Sequence, residues 1–149
     1  MKLSTKGRYG VMAMLDLALH NSEGQIPLKS IAERQAISEN YLEQLFALLK
    51  KAGLVKSTRG SMGGYVLSAG PGEITVGSIL RALEGSLAPV DCVVEDEPAR
   101  CERSDCCATK IVWEKIRDSI NEVVDSITLQ DLAEEYVKNN KGNEYMFYI

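Results

Sequence analysis

A mainly α-helical fold with one small β-hairpin is predicted by three observations. Apolar residues recur at three- and four-residue steps through most of the chain. After Gly53 the period becomes that of extended strands, around a tip rich in glycine, Arg59-Gly60-Ser61-Met62-Gly63-Gly64. Ser38 follows a short turn and stands where a helix needs a capping hydroxyl. Helix, turn, Ser-capped helix, glycine stop and glycine-rich hairpin, in that order, make a winged helix-turn-helix. A long C-terminal helix follows it.

Each element has a local cause. Ser4 to His20 reads as a helix, with Tyr9, Met12, Ala13, Leu15, Leu17 and Leu19 among few breakers; Asn21 to Pro27 ends it. Leu28 to Arg34 forms a second helix with Leu28, Ile31 and Ala32 on one face, and Gln35 to Ile37 make the turn. The third helix runs from the Ser38 cap to about Ala52, turns Tyr41, Leu42, Leu45, Leu48 and Leu49 inward, and stops at Gly53 as a left-handed residue. Leu54 to Thr58 and Tyr65 to Leu67 are the hairpin strands. Thr75 caps a helix with Val76, Ile79, Leu80 and Leu83 inward, ended by Gly85. A long helix over about Ala108 to Ile127 carries the narrow stripe Val112, Ile116, Ile120, Val123, Val124 and Ile127. Thr128 caps a last short helix through Leu132 to Val137, before the apolar tail Glu144-Tyr145-Met146-Phe147-Tyr148-Ile149.

Charge divides along the chain. The net charge of −4 looks wrong for a nucleic-acid binder, yet residues 1–67 carry nine Lys/Arg against five Asp/Glu and the remainder eight against sixteen. Attraction to phosphate is local, screened over roughly 8 Å at physiological salt, so the basic part can bind DNA whatever the total. On the outward face of the third helix lie Glu39, Asn40, Glu43, Gln44, Lys50 and Lys51. Asn and Gln pair bidentately with adenine and Glu accepts from cytosine, while two lysines near the helix end suit phosphates. Arg59 at the tip suits a narrow minor groove, and Lys2, Lys6 and Arg8 add a basic start. Singly, Glu39 or Lys51 is equally at home on a solvated face, and Arg59 and Gln44 are the stronger candidates; together, in this order, they point to double-stranded DNA.

All four cysteines, Cys92, Cys101, Cys106 and Cys107, fall in the segment between Pro89 and Cys107. With no apolar leader and no hydrophobic run of membrane-spanning length, the chain is expected in the cytoplasm and away from membranes. There, clustered thiols are metal ligands or redox sensors rather than disulfides. Their steps of nine, five and one positions are unlike the paired Cys-x-x-Cys hooks of a zinc ribbon. An iron–sulfur cluster tolerates such spacing, so cluster, zinc and redox thiols stand as the three readings.

Met1-Lys2-Leu3-Ser4-Thr5-Lys6-Gly7-Arg8-Tyr9, the run Ser38 to Gln44, and Gly53-Leu54-Val55 followed by Arg59-Gly60 and Gly63-Gly64-Tyr65 closely resemble the IscR-type iron–sulfur winged-helix regulators. They also resemble the related NsrR-type nitric-oxide sensors and CymR-type repressors of cysteine metabolism, over roughly residues 1–137. The resemblance implies a homodimer joined through the long C-terminal helices. It implies DNA contacts from Lys2, Ser4, Arg8, Ser38, Asn40, Tyr41, Glu43, Gln44, Lys50, Arg59, Gly60, Gly63 and Gly64. It divides the chain into a DNA-binding domain over residues 1–85, a cysteine-rich cluster loop over 86–107, and a dimerisation helix, short helix and tail over 108–149.

A [2Fe–2S] cluster held by three cysteines and a histidine is implied too. Aligned on Trp113, the cysteines are Cys92, Cys101 and Cys107, but Lys110 stands at the histidine position. Cys106 and His20 are the candidates left for the fourth ligand. An acidic ligand near the first helix, as in some relatives, is replaced by Arg8. The ending at Ile149 resembles CymR-type tails that enter the cleft of O-acetylserine thiol-lyase; packing on the dimer is the other reading. An iron–sulfur or redox-sensing regulator of cluster-assembly genes is therefore expected, with a CymR-like repressor as the alternative. One histidine and no nucleophile–base pair of recognisable spacing argue against an enzyme.

Overall fold

The computed structural model describes residues 3–96, 102–103 and 105–147, with side chains described as far as Lys141. The order is α1 (Thr5–Leu19), α2 (Leu28–Gln35), α3 (Glu39–Lys51), β1 (Val55–Thr58), β2 (Gly64–Leu67), α4 (Val76–Glu84), α5 (Lys110–Ser126) and α6 (Leu129–Phe147). Single 3-10 turns lie at Asn21–Glu23, Pro71–Glu73 and Asp91–Val93. Helices and hairpin fall where the sequence predicts them, except that the last helix runs further.

The caps decide the boundaries. Ser38 Oγ accepts the Tyr41 N–H at 3.1 Å and starts α3, a contact typically worth about 1 kcal/mol. Thr75 Oγ1 accepts the Ser78 N–H at 3.1 Å and starts α4. Gly53, with φ of +79°, ends α3 in the left-handed conformation. At the turn between α2 and α3 the left-handed residue is Ala36, φ +54°.

α1, α2, α3 and α4 close around one core in which Met14, Leu17, Ile31, Leu42, Leu45, Phe46, Leu49 and Ile79 are fully buried. Gly10 lets α1 and α4 meet, since a Cβ there would lie 2.0 Å from Leu83 Cδ1. Asp16 is the buried charge of the described residues. Its carboxylate accepts from Arg34 Nη2 at 2.7 Å, Arg34 Nε at 3.0 Å and Gln35 Nε2 at 2.9 Å, which ties α2 to α1.

β1 and β2 pair antiparallel with Val55 opposite Leu67 and Thr58 opposite Gly64. The hairpin is anchored through β2. Ile26 and Tyr65 exchange two backbone hydrogen bonds, of 2.9 and 2.8 Å, and the Tyr65 ring sits 4.8 Å from that of Phe46 on α3. A Cβ at Gly64 would fall 2.5 Å from the Ile26 backbone, so this approach requires glycine.

The C-terminal helices behave differently. α5 has no buried residue, and Ile111, Val112 and Val123 are 55%, 45% and 57% exposed. α6 begins with a reciprocal cap: Thr128 Oγ1 accepts the Asp131 N–H at 3.2 Å, and Asp131 accepts the Thr128 N–H at 2.9 Å. The sequence predicts a short helix ending near Val137; α6 continues to Phe147. Asn140, beyond the expected end, donates its side-chain amide to the Tyr136 carbonyl at 3.0 Å within the helix. Leu129 is fully buried in the same core as α1–α4.

Candidate nucleic-acid interface and cysteine segment

α3 presents two faces. Leu42, Leu45, Phe46 and Leu49 are buried, while Glu39, Asn40, Glu43, Gln44, Ala47, Lys50 and Lys51 are exposed. Among the described residues, the side chains of Asn40, Glu43, Gln44, Lys50 and Lys51 make no hydrogen bond or ion pair within the chain. Their donors and acceptors therefore face water on a helix whose inward side is locked. Arg59 at the tip of the hairpin is exposed, as is Arg8 on α1. Lys2 lies outside the described residues.

Other predicted contact residues have partners inside the molecule. Ser4 donates its N–H to Glu84 Oε1 at 3.0 Å, and its hydroxyl bonds the same carboxylate. Ser38 uses its acceptor on the α3 cap. Tyr41 is half-buried, stands edge-on to Tyr9 at 6.0 Å and donates to Thr5 Oγ1 at 3.4 Å. Gly60 takes φ +110° at the tip, and Gly63 and Gly64 leave no room for a side chain. These residues shape and brace the surface that the free side chains occupy.

The sequence reading passed over two features. Arg34 and Asp16, eighteen positions apart, hold α2 in place, and the carboxylate raises the Arg34 pKa above its ordinary value. Met62 stands 88% exposed at the hairpin tip beside Arg59; its place between glycines was the only signal for it.

The cysteine segment begins on the head. Cys92 is half-buried in the turn Asp91–Val93, beside the buried Val93, whose carbonyl accepts from Arg117 Nη1 of α5 at 3.0 Å. Cys106 is exposed, and Cys107 is half-buried next to the start of α5. The Thr109 hydroxyl, 3.1 Å from Cys107 Sγ, and the Lys110 N–H behind it hold that thiol below its ordinary pKa and favour the thiolate. Cys101 lies outside the described residues. Among the described residues, no three His, Cys, Asp or Glu side chains come together to hold a metal.

The donor set, soft thiols with one tuned toward thiolate, suits iron–sulfur ligation in chemistry. No helix among the described residues is long and apolar enough to cross a membrane.

Residues 3–135 match the Rrf2 family, described as an iron-dependent transcriptional regulator. The chain belongs to the Rrf2 family. Regulators named CymR and IscR are both among its relatives. The transcriptional regulator CymR of Bacillus subtilis is 49% identical over the full length of both chains. The regulator IscR of Pectobacterium atrosepticum is 45% identical over 95% of this chain and 81% of its own. Among solved structures, B. subtilis CymR, the global cysteine regulator, superposes with a TM-score of 0.74 at 51% identity, covering 91% of this chain and 98% of that one. T. potens IscR superposes with a TM-score of 0.74 at 54% identity, covering 91% and 88%. The protein is thus a transcriptional regulator with a winged-helix fold.

Proposed function

We propose that the protein is a homodimer that reads a pseudo-palindromic duplex with two copies of α3 and reports the state of its cysteine segment to that reading. The observation that carries this is the unpaired polar face of α3, capped by Ser38 and braced from behind by buried leucines. In this reading Asn40, Glu43 and Gln44 meet base edges, and Lys50, Lys51 and Arg8 meet phosphates. Arg59 enters the minor groove beside α3. The uncovered apolar face of α5, with Ile111, Val112 and Val123 exposed, is the surface that joins two copies.

Cys92, Cys101 and Cys107 would hold a [2Fe–2S] cluster, with Cys106 as a candidate for the fourth ligand because Lys110 stands at the histidine position. When bound, such a cluster supplies one-electron redox chemistry and a dependence on iron supply. The second reading is a CymR-like repressor of sulfur metabolism that answers to O-acetylserine thiol-lyase through residues 145–149, with no obligatory cluster. The full-length likeness to CymR favours it. In both, the DNA-reading half is the same.

The test of that half is a gel shift against duplexes selected by the protein from a random library, repeated across a salt titration. A specific complex is expected, with affinity falling steeply as salt rises. Gln44→Ala should lose about tenfold and relax the preference at one base position. A salt-insensitive complex, or none, overturns the proposal. Oxygen-free reconstitution with iron and sulfide separates the sensing readings. Visible absorbance lost in Cys92→Ala supports the cluster. A colourless protein whose operator affinity changes with thiol-lyase only when residues 145–149 are present supports the other.

A further inference from the structure

α5 leaves the head from a hinge made of backbone. The Val76 N–H donates to the Ile127 carbonyl at 2.8 Å and the Leu129 N–H to the Ile74 carbonyl at 2.9 Å, which pins the end of α5 to the start of α4. A helix held only at one end still tilts.

Side chains further along set the tilt. Arg81 of α4 donates from Nη1 to Asp125 Oδ1 at 2.7 Å and from Nη2 to Asp125 Oδ2 at 2.9 Å. The same Nη2 donates to Asn121 Oδ1 at 2.9 Å. Gly77, one turn earlier on α4, gives this contact its room: a Cβ there would lie 2.0 Å from Asp125 Oδ1. Asn121 then donates to Glu95 Oε1 at 3.0 Å, and Glu95 Oε2 accepts from the Ser86 hydroxyl at 2.6 Å. One turn nearer the start of α5, Arg117 holds the Val93 carbonyl at 3.0 Å.

We propose that the clamp of Arg81 on Asp125 and Asn121 fixes the angle between the reading head and α5 and so selects the spacing between the two operator half-sites. None of the three residues stands on α3 or the hairpin. The inference rests on the dimeric, DNA-reading function proposed above. Its reason is leverage. A tilt of about 10° over an arm of roughly 20 Å moves the arm's end by about 3.5 Å, the rise of about one base pair.

The chemistry fits a device for geometry more than for stability. Arg81 and Asp125 side chains are 36% and 46% exposed, so the pair contributes little to folding. A two-pronged guanidinium–carboxylate contact is nevertheless strongly directional. The clamp also meets the loop that begins at Cys92, through Glu95 and Asn121, so the angle it sets is open to that loop.

The experiment uses the full chain and the duplex that the wild-type protein selects from a random library. Competition gel shifts compare wild type, Arg81→Ala, Arg81→Lys and Asn121→Ala on duplexes whose half-sites are moved apart or together by one base pair. Wild type is expected to lose about tenfold on either change, and Arg81→Ala about twofold, with discrimination against a wrong base inside a half-site kept. Circular dichroism establishes that each variant is folded. Should Arg81→Ala not fold, Arg81→Lys (which keeps the charge but not the fork) and Asn121→Ala decide. Spacing preference unchanged from wild type in the folded variants overturns the inference. A wild-type protein that selects no duplex, or binds as a single copy, brings down the function on which it rests; that result shows in the first measurement.

Discussion

The head and the arm of this molecule use the same kinds of residue in opposite ways. In the head, every helix of α1–α4 buries at least one side chain in a shared core. α5 is as amphipathic in sequence as α3, yet none of its residues is buried. Periodicity therefore states that a face seeks cover, but not whether the cover comes from the same chain. Along α5 the cover is partial: Ile116, Ile120 and Val124 are half-buried, while Ile111, Val112 and Val123 stay exposed.

The comparison can be broken by substitution. The largest effect is expected at Phe46, fully buried between α3 and Tyr65: Phe46→Ala should cost about 3–5 kcal/mol in thermal unfolding. Val123→Asp, on the 57% exposed site of α5, should leave the head's secondary structure intact by circular dichroism while sedimentation shows separated copies. If Val123→Asp unfolds the chain as readily as Phe46→Ala, head and arm are not distinct in the way argued. Next is Asp16→Asn, which sets an amide against the Arg34 and Gln35 donors and should cost at least about 2 kcal/mol in urea unfolding. A loss within the error of the titration would show that α2 is held by its apolar face alone.

The smallest effect sharpens the joint between the two regions. The Ser86 hydroxyl, and then the Asn121 amide, hold the Glu95 carboxyl at about 2, below its ordinary 4.5. Because the folded value is the lower one, this stabilisation is fully present above about pH 4.5 and fades as the pH falls toward 2. Glu95 is exposed, so the effect is modest. Acid unfolding of wild type and Glu95→Gln should diverge in that window and run parallel above it. Parallel curves throughout would mean that the loop is not tied to α5 by this carboxyl.

What was legible in the sequence is what local chemistry decides. Ser38, Thr75 and Thr128 announce helix starts because a short hydroxyl side chain satisfies its own neighbours' N–H groups. The hairpin was legible because its tip needs glycine. Contacts between distant segments were not. Nothing near Asp16 marks Arg34 as its partner, and the role of Phe46 depends on Tyr65 arriving from the other side of the wing. In the candidate interface, sequence identified the outward residues of α3 but could not tell a free side chain from one already engaged, such as Ser4 on Glu84. The thiols carry no periodicity, so their spacing gave candidates without a geometry.

Leu129 lies in the middle of the head's core although it follows α5 in the chain, and the Thr75–Thr128 bridge beside it closes the sheet-like seam that holds it there. During synthesis the first eighty-odd residues therefore emerge without one of the fully buried side chains of their core. That side chain arrives only when the ribosome has finished the arm and begun α6. The head's interior is therefore complete only once Leu129, from the far side of the arm, has joined it.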